Sequence, residues 1–260
     1  ALGAQAPTHP LDGISGREHW VIYDALAASG RTDTTTNYLY VGLNEPPKSE
    51  VLAWRAGQAF RREALVHLIQ GPRGYEAVVD IAGKKVLSWT EVPGRQFMTS
   101  RAENGATNKL VMADPRVREA IRKRGVTDLT HVGCSPSNHG YFDHPEERGH
   151  RVVPVMCGDD IGRVSGYGED FEGLVIVVDL TDNKILRITD TGVRPRNGPY
   201  GAYDAEALGP TRATPSPVTM IQPGGPSYTL DGQQVSWQNW KFHFRVDPRR
   251  GVVVSNVKYT

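Results

Sequence analysis

Six potential metal ligands crowd into one stretch of the chain: His131, Cys134, His139, His144, His150 and Cys157 fall within 27 residues. Imidazole nitrogen and thiolate are the donors a zinc-type site uses, but a closed site needs four of them at short paired spacings. Here the two cysteines are far apart and no histidine pair has a compact helical spacing. The stretch instead reads strand, polar loop, strand, with HVGC leading in and RVVPVMC leading out. That favours surface histidines on a loop whose flanking strands are joined through Cys134 and Cys157. Ser135, Ser137 and His139 lie close together, but no Gly-x-Ser-x-Gly elbow surrounds either serine. Asp143, Glu146 and Glu147 sit in the polar loop, where solvation is the ordinary fate of a carboxylate. Gly224-Gly225-Pro226 is no phosphate loop, because the Gly-Lys-Ser/Thr ending is missing and proline removes an amide donor. Trp237, Trp240, Phe242 and Phe244 could line a pocket, although their strand spacing points first to packing.

Composition narrows the classes further. The chain has 260 residues, with 30 Lys+Arg against 29 Asp+Glu and a net charge of +1. No basic stripe or tail stands out, which argues against nucleic acid and against electrostatic docking to a membrane. No run approaches the roughly 18 apolar residues of a membrane span. Two cysteines fit one disulfide in an exported protein or two buried thiols in a cytosolic one. Ala4-Gln5-Ala6 fits the tail of an export signal or a flexible start. The expectation is a secreted or periplasmic protein, with the cytoplasm as the alternative.

The elements that position these residues repeat. Val78-Val79-Asp80-Ile81 returns as Val177-Val178-Asp179-Leu180, and Lys85-Val86-Leu87 as Lys184-Ile185-Leu186, both 99 residues further on. Each copy reads as a β-hairpin. A helix precedes each. Ser15 and Glu18 form a capping box ahead of Trp20, Ile22, Tyr23 and Leu26, with Gly30 as a stop. Asp114-Pro115 caps a second helix through Val117 and Ile121 to Gly125. The fold class is therefore α+β: one helix on a curled antiparallel sheet, twice over. Domains are expected over residues 8–97 and 98–193, then a Gly/Pro/Ala-rich linker over 194–217.

Residues 218–260 are expected to begin a further β structure. Trp240, Phe242, Phe244 and Val246 alternate with Lys241, His243 and Arg245, the pattern of a strand with one buried face. After the turn Asp247–Gly251, Val252, Val253, Val254 and Val257 supply a second strand. A lone hairpin is marginal in water, so this one is expected to be completed by residues outside 1–260, which would bury Trp240, Phe242, Phe244 and Val246.

The run Gln222–Phe242, QPGGPSYTLDGQQVSWQNWKF, followed by Asp247-Pro248-Arg249-Arg250-Gly251, resembles the start of the catalytic β-sandwich of copper amine oxidases. His9-Pro10-Leu11-Asp12, Glu45-Pro46-Pro47-Lys48, Arg124-Gly125 with Asp128, and Glu172-Gly173 with Val178-Asp179 resemble phrases of its small domains, so the likeness runs along the whole chain. It implies two cystatin-like domains, then the sandwich that carries copper and topaquinone. It implies a homodimeric enzyme that converts primary amines to aldehydes, with peroxide and ammonia released. Its catalytic base, quinone tyrosine and copper ligands would lie in a C-terminal catalytic portion. This chain has no His-x-His pair, and Thr34–Leu39 resembles the quinone motif but carries Leu39 where an acid belongs. The resemblance places Tyr167 and Pro136 on the substrate-channel wall, although Asp170 stands where the family often has proline. The chain is thus read as the non-catalytic N-terminal portion of such an enzyme. The alternative is a binding or assembly module of the same descent.

Overall fold

The computed structural model describes residues 6–140, 142–160, 169–195 and 205–260. The chain divides into two compact units, Ala1–Val92 with Val218–Thr260, and Pro93–Pro217.

In the first unit, α1 (Gly16–Ala28) starts at the Ser15–Glu18 capping box and ends before Gly30, whose φ of 68° suits glycine. Then come β1 (Thr36–Asn44), α2 (Lys48–Ala53), β2 (Glu63–Gln70), β3 (Arg73–Asp80) and β4 (Lys85–Glu91). The strands form an antiparallel sheet in the order β1-β2-β3-β4. Alternation along β2 and β3 puts Ala64, Val66, Leu68, Ala77 and Val79 on one face, where they meet Ile22 and Leu26 of the helix.

The second unit has α3 (Arg101–Ala113), α4 (Pro115–Lys123), β5 (Val132–Pro136), a 3-10 turn at Pro145–Glu147, β6 (Val152–Asp159), β7 (Glu169–Asp170), β8 (Leu174–Asp179), β9 (Lys184–Asp190) and α5 (Ala205–Leu208). The order is β5-β6-β8-β9, with β7 paired to β6. The sequence reading expected one helix here, from Asp114-Pro115. That helix is present as α4, capped by Asp114, but α3 runs ahead of it and packs along β5. Few apolar residues mark α3, and Asn104, Gly105 and Asn108 weaken its pattern. Its start signal is nonetheless a capping box, Ser100–Glu103.

The 99-residue offset holds in the backbone. Val78 pairs with Ser88 and Val79 with Val86, a register shift repeated at Val177–Arg187 and Val178–Ile185. Lys84 and Asn183 take the same positive φ, 51° and 53°, in the two turns. The N–H groups of Ile81 and Leu180 donate to the carbonyls of Arg62 and Arg151, the residues that lead into β2 and β6. Both arginines then reach back to a helix start. Arg62 Nε donates to Glu18 Oε1 at 2.7 Å, and Arg151 Nη1 donates to Glu103 Oε1. Each capping-box glutamate thus serves two ends, the N-terminal amide of its helix and a buried guanidinium.

Cys134 and Cys157 are paired residues of β5 and β6 and are joined by a disulfide. Closing a loop of this length contributes about 3 kcal/mol in the chain-entropy model. Titration under denaturing, non-reducing conditions is expected to find no free thiol; two titratable thiols would contradict the bridge. In the loop between these strands Asp143, His144 and Glu146 are exposed as expected, but His139 and Glu147 are not. The His139 side chain is buried and its Nε2 lies 2.9 Å from Glu147 Oε2, and Glu147 also accepts from Arg187 Nη2 at 2.9 Å. Burial opposes the Glu147 carboxylate, but Arg187 and His139 hold its pKa below the ordinary value.

The C-terminal segment forms a four-stranded meander rather than a lone hairpin: β10 (Tyr228–Asp231), β11 (Gln234–Trp237), β12 (Trp240–Asp247) and β13 (Gly251–Tyr259). A bulge between Lys241 and His243 places an extra residue on β13, with Asn256 at φ 51°.

Candidate functional site

The face of β12 that is buried within this chain is its polar one. No apolar side chain described in 218–260 is buried; the buried ones are His243, Arg245 and Asp247. These alternate residues share one face, and each meets a partner in the first domain. His243 Nε2 is 2.8 Å from Asp12 Oδ1, Arg245 Nη2 donates to Glu45 Oε1, and Tyr40 Oη donates to Asp247 Oδ2 at 2.9 Å. Polar groups accept burial when paired in this way. Trp240 and Val246 are exposed, and Phe242 and Phe244 half-buried, on the opposite face.

The local chain explains how the partners are held. Thr8 and His9 donate backbone N–H to Asp12 Oδ2 at 2.7 and 2.9 Å. Burial opposes the Asp12 carboxylate, but His243 and these amides keep its pKa below the usual value. Arg62 donates to the carbonyls of Asp12 and Gly13 at 2.7 and 2.8 Å, which ties this turn to the Glu18 staple. Tyr40 is pushed up to about 12 by burial and by its bond to Asp247. Burial also opposes the Asp247 carboxylate, while the amides of Arg250 and Arg249 lower its pKa. In the sequence His9–Asp12 stands out only through a resemblance and His243 only through strand alternation; the pairing of Asp12 with His243 spans 231 residues, which periodicity cannot reveal.

Two groupings among the described residues bring three potential metal-ligand atoms within 4.8 Å: His9, Asp12 and His243, and His150, Asp179 and Asp182. Neither suits copper. Leu11 N–H donates to His9 Nδ1 at 3.1 Å, so that lone pair is used and the ring proton sits on Nε2. The His9 and His243 rings are stacked, 4.3 Å apart and 21° from parallel, so their in-plane lone pairs run side by side rather than converging. In the second grouping the Lys184 ammonium already lies 2.6 Å from Asp182 and 3.8 Å from Asp179. Tyr38, the tyrosine of the near-match quinone motif, packs edge-on against Tyr23 at 4.9 Å in the first core. Neither of these groupings among the described residues therefore fits copper, and Tyr38 sits as a packing residue.

Of the two expected channel-wall residues, Pro136 closes β5 and is half-buried. Tyr167 lies outside the described residues. Described residues of the first unit line hollows. One of about 310 Å³ is bordered by Pro46, Trp54 and Phe60, and one of about 190 Å³ lies between residues 6–15 and the C-terminal sheet. Among the described residues no helix is long and apolar enough to cross a membrane.

Comparison with known proteins gives a consistent match. Residues 9–92 match the family described as copper amine oxidase, N2 domain, and residues 102–204 match copper amine oxidase, N3 domain. The primary amine oxidase of Klebsiella aerogenes is 31% identical over 259 residues, covering 96% of this chain and 34% of that protein. The primary amine oxidase of Arthrobacter sp. (strain P1) is 30% identical, covering 97% and 39%. The crystal structure of a copper-containing benzylamine oxidase from Hansenula polymorpha superposes with a TM-score of 0.66 at 18% identity, covering 96% of this chain and 42% of that one. The lysyl oxidase of Pichia pastoris gives 0.62 at 15%, covering 98% and 43%. At those identities the structural likeness is one of fold. The chain spans about a third to two-fifths of the length of the curated relatives it matches.

Proposed function

The chain belongs to the copper amine oxidase family, and from that premise we propose that it is the non-catalytic N-terminal portion of a primary-amine oxidase. The completed enzyme converts R-CH2-NH2, O2 and H2O to R-CHO, NH3 and H2O2. Copper and topaquinone belong to the catalytic portion, as in the family; the two ligand groupings among the described residues do not fit the metal. The two helix-on-sheet units are cystatin-like domains that frame the substrate channel, with Pro136 and Tyr167 on its wall. The Cys134–Cys157 disulfide supports an oxidising compartment, hence a secreted or periplasmic enzyme. A homodimer of the completed enzyme follows the family pattern.

The observation that carries this reading is the two-sidedness of β10–β13. The buried face is polar, and His243, Arg245 and Asp247 each have a side-chain partner within the chain. The outer face is apolar: Val246 pairs with Val252 and Phe244 with Val254, and both valines of the first pair are more than 60% exposed. Trp240 and Tyr259 stack edge-on beside them and are exposed too. An apolar face of this kind on a sheet is suited to a second layer, and the catalytic sandwich supplies one.

Copper loading of this chain, then quinone-specific staining and an amine-dependent peroxide assay, tests the assignment of roles. The expected result is no stain and no peroxide from the chain alone, and both when the catalytic portion is joined to it. A stained peptide containing Tyr38 would overturn it.

A further inference from the structure

Two imidazoles stack at the joint between the first domain and β12. His243 is buried and bound to Asp12, and His9 lies flat against it at 4.3 Å. Trp54 meets His9 edge-on at 5.0 Å. The charged and titratable groups facing His9 are therefore Asp12 from its own turn and His243 from β12, with the Glu45–Arg245 pair next along the strand. The single carboxylate of Asp12 is already fully engaged, one oxygen by His243 and the other by the amides of Thr8 and His9. A proton added to His9 would set a buried cation against the His243–Asp12 pair with no free carboxylate oxygen to receive it. The Leu11 amide, which donates to His9 Nδ1, would also lose its acceptor.

We propose that the His9–His243 stack makes the joint between the first domain and the C-terminal sheet an acid-sensitive latch, closed at neutral pH and progressively opened by acid while each part keeps its own fold. The sign follows from the two states. In the closed latch, burial first and His243 second lower the His9 pKa from 6.5 to about 4, partly offset by Asp12. In the open latch His9 returns to its ordinary value. Above 6.5 both states are neutral at His9 and the latch has its full stability. Below that, only the open state takes up the proton, so closure weakens as pH falls and levels off near 4. Asp12, whose pKa is held below the usual carboxylate range, keeps its charge across this window.

The test uses the full 260-residue chain and follows amide exchange at Thr8 and residue 9, whose protection depends on Asp12 being held in place. One proton taken up in this window changes the latch equilibrium by about 20-fold between pH 7 and pH 5. After correction for intrinsic exchange chemistry, protection at these amides is expected to fall by up to that factor, while amides of β2 and β3 keep theirs. His9→Phe retains a flat ring against His243 and cannot titrate, so its protection at Thr8 is expected to stay level from pH 7 to pH 5. The same pH-dependent loss in His9→Phe would overturn the latch, as would level protection in the unmodified chain. A matching loss of protection in β2 and β3 would also overturn it, because it would report general acid unfolding.

Discussion

An Arg62→Met chain is expected to lose about 3–5 kcal/mol of stability, the usual cost of removing one partner from a buried ion pair. The Arg62 side chain is 6% exposed and Glu18 10%, and the guanidinium also serves the carbonyls of Asp12 and Gly13. Methionine fills much of the space but leaves the Glu18 carboxylate and two carbonyls without their donor. Domains of this size have about 5–15 kcal/mol to lose, so the urea midpoint should move far towards native conditions. Adding Glu18→Gln to the same chain removes the stranded charge and is expected to recover part of the loss. Arg151→Met should repeat the effect in the second unit through Glu103. Arg116→Met, at an exposed pair with Asp114, should cost less than about 1 kcal/mol. The pH dependence has a definite sign. Burial opposes the Glu18 carboxylate, yet Arg62 and Ser15 hold its pKa below the ordinary value. Its stabilisation is therefore present above the ordinary carboxylate range and lost as pH falls through the lowered value, and Arg62→Met should blunt that loss. Equal costs at Arg62 and Arg116 would mean that the staple is not a stabilising element.

The second large effect concerns the outer face of the C-terminal sheet. Val252→Lys with Val254→Lys is expected to change the stability of residues 1–260 by less than about 1 kcal/mol, because both valines are at least half exposed. It should sharply reduce binding of an apolar dye by this chain. In the assembled oxidase the same pair should prevent stable assembly, since each buried valine contributes about 1.5–3 kcal/mol and a lysine there must also desolvate. Deleting 218–260 is a different experiment. It removes the apolar face but also strips Asp12, Glu45 and Tyr40 of their partners, so lower dye binding should come with a less stable first domain. If the lysine pair instead unfolds the isolated chain, the face is already part of a core and the proposed second layer is unnecessary.

Local words in the sequence carried a good deal of this structure. The hairpin phrase around Val78 and Val177 was legible because turn, strand and register are set by neighbouring residues, and its bulge recurs at the same offset. The Ser15–Glu18 box was legible for the same reason. Helix α3 was not, because its apolar positions are few and its capping box at Ser100–Glu103 was the one strong signal. On β12 the alternation itself was legible, and it correctly separates two faces. Which face turns inward was not, because that depends on Asp12, Glu45 and Tyr40 lying at least 200 residues away in sequence. Alternation names an apolar face, and the partner decides whether that face is inside the chain or at its boundary. The same holds for His139 and Glu147, which look like solvated loop residues until Arg187 of β9 is placed beneath them. The family phrases identified the chain's descent, whereas the role of each residue needed the three-dimensional pairing.

The central claim is that this chain presents an apolar sheet face for a catalytic portion to cover. Hydroxyl-radical labelling of Trp240 and Tyr259 tests it most directly, compared between residues 1–260 alone and the assembled oxidase. Both side chains are exposed here, at 39% and 66%. The account predicts strong labelling in the isolated chain and protection in the assembly. Protection in the isolated chain, or undiminished labelling in the assembly, would contradict it.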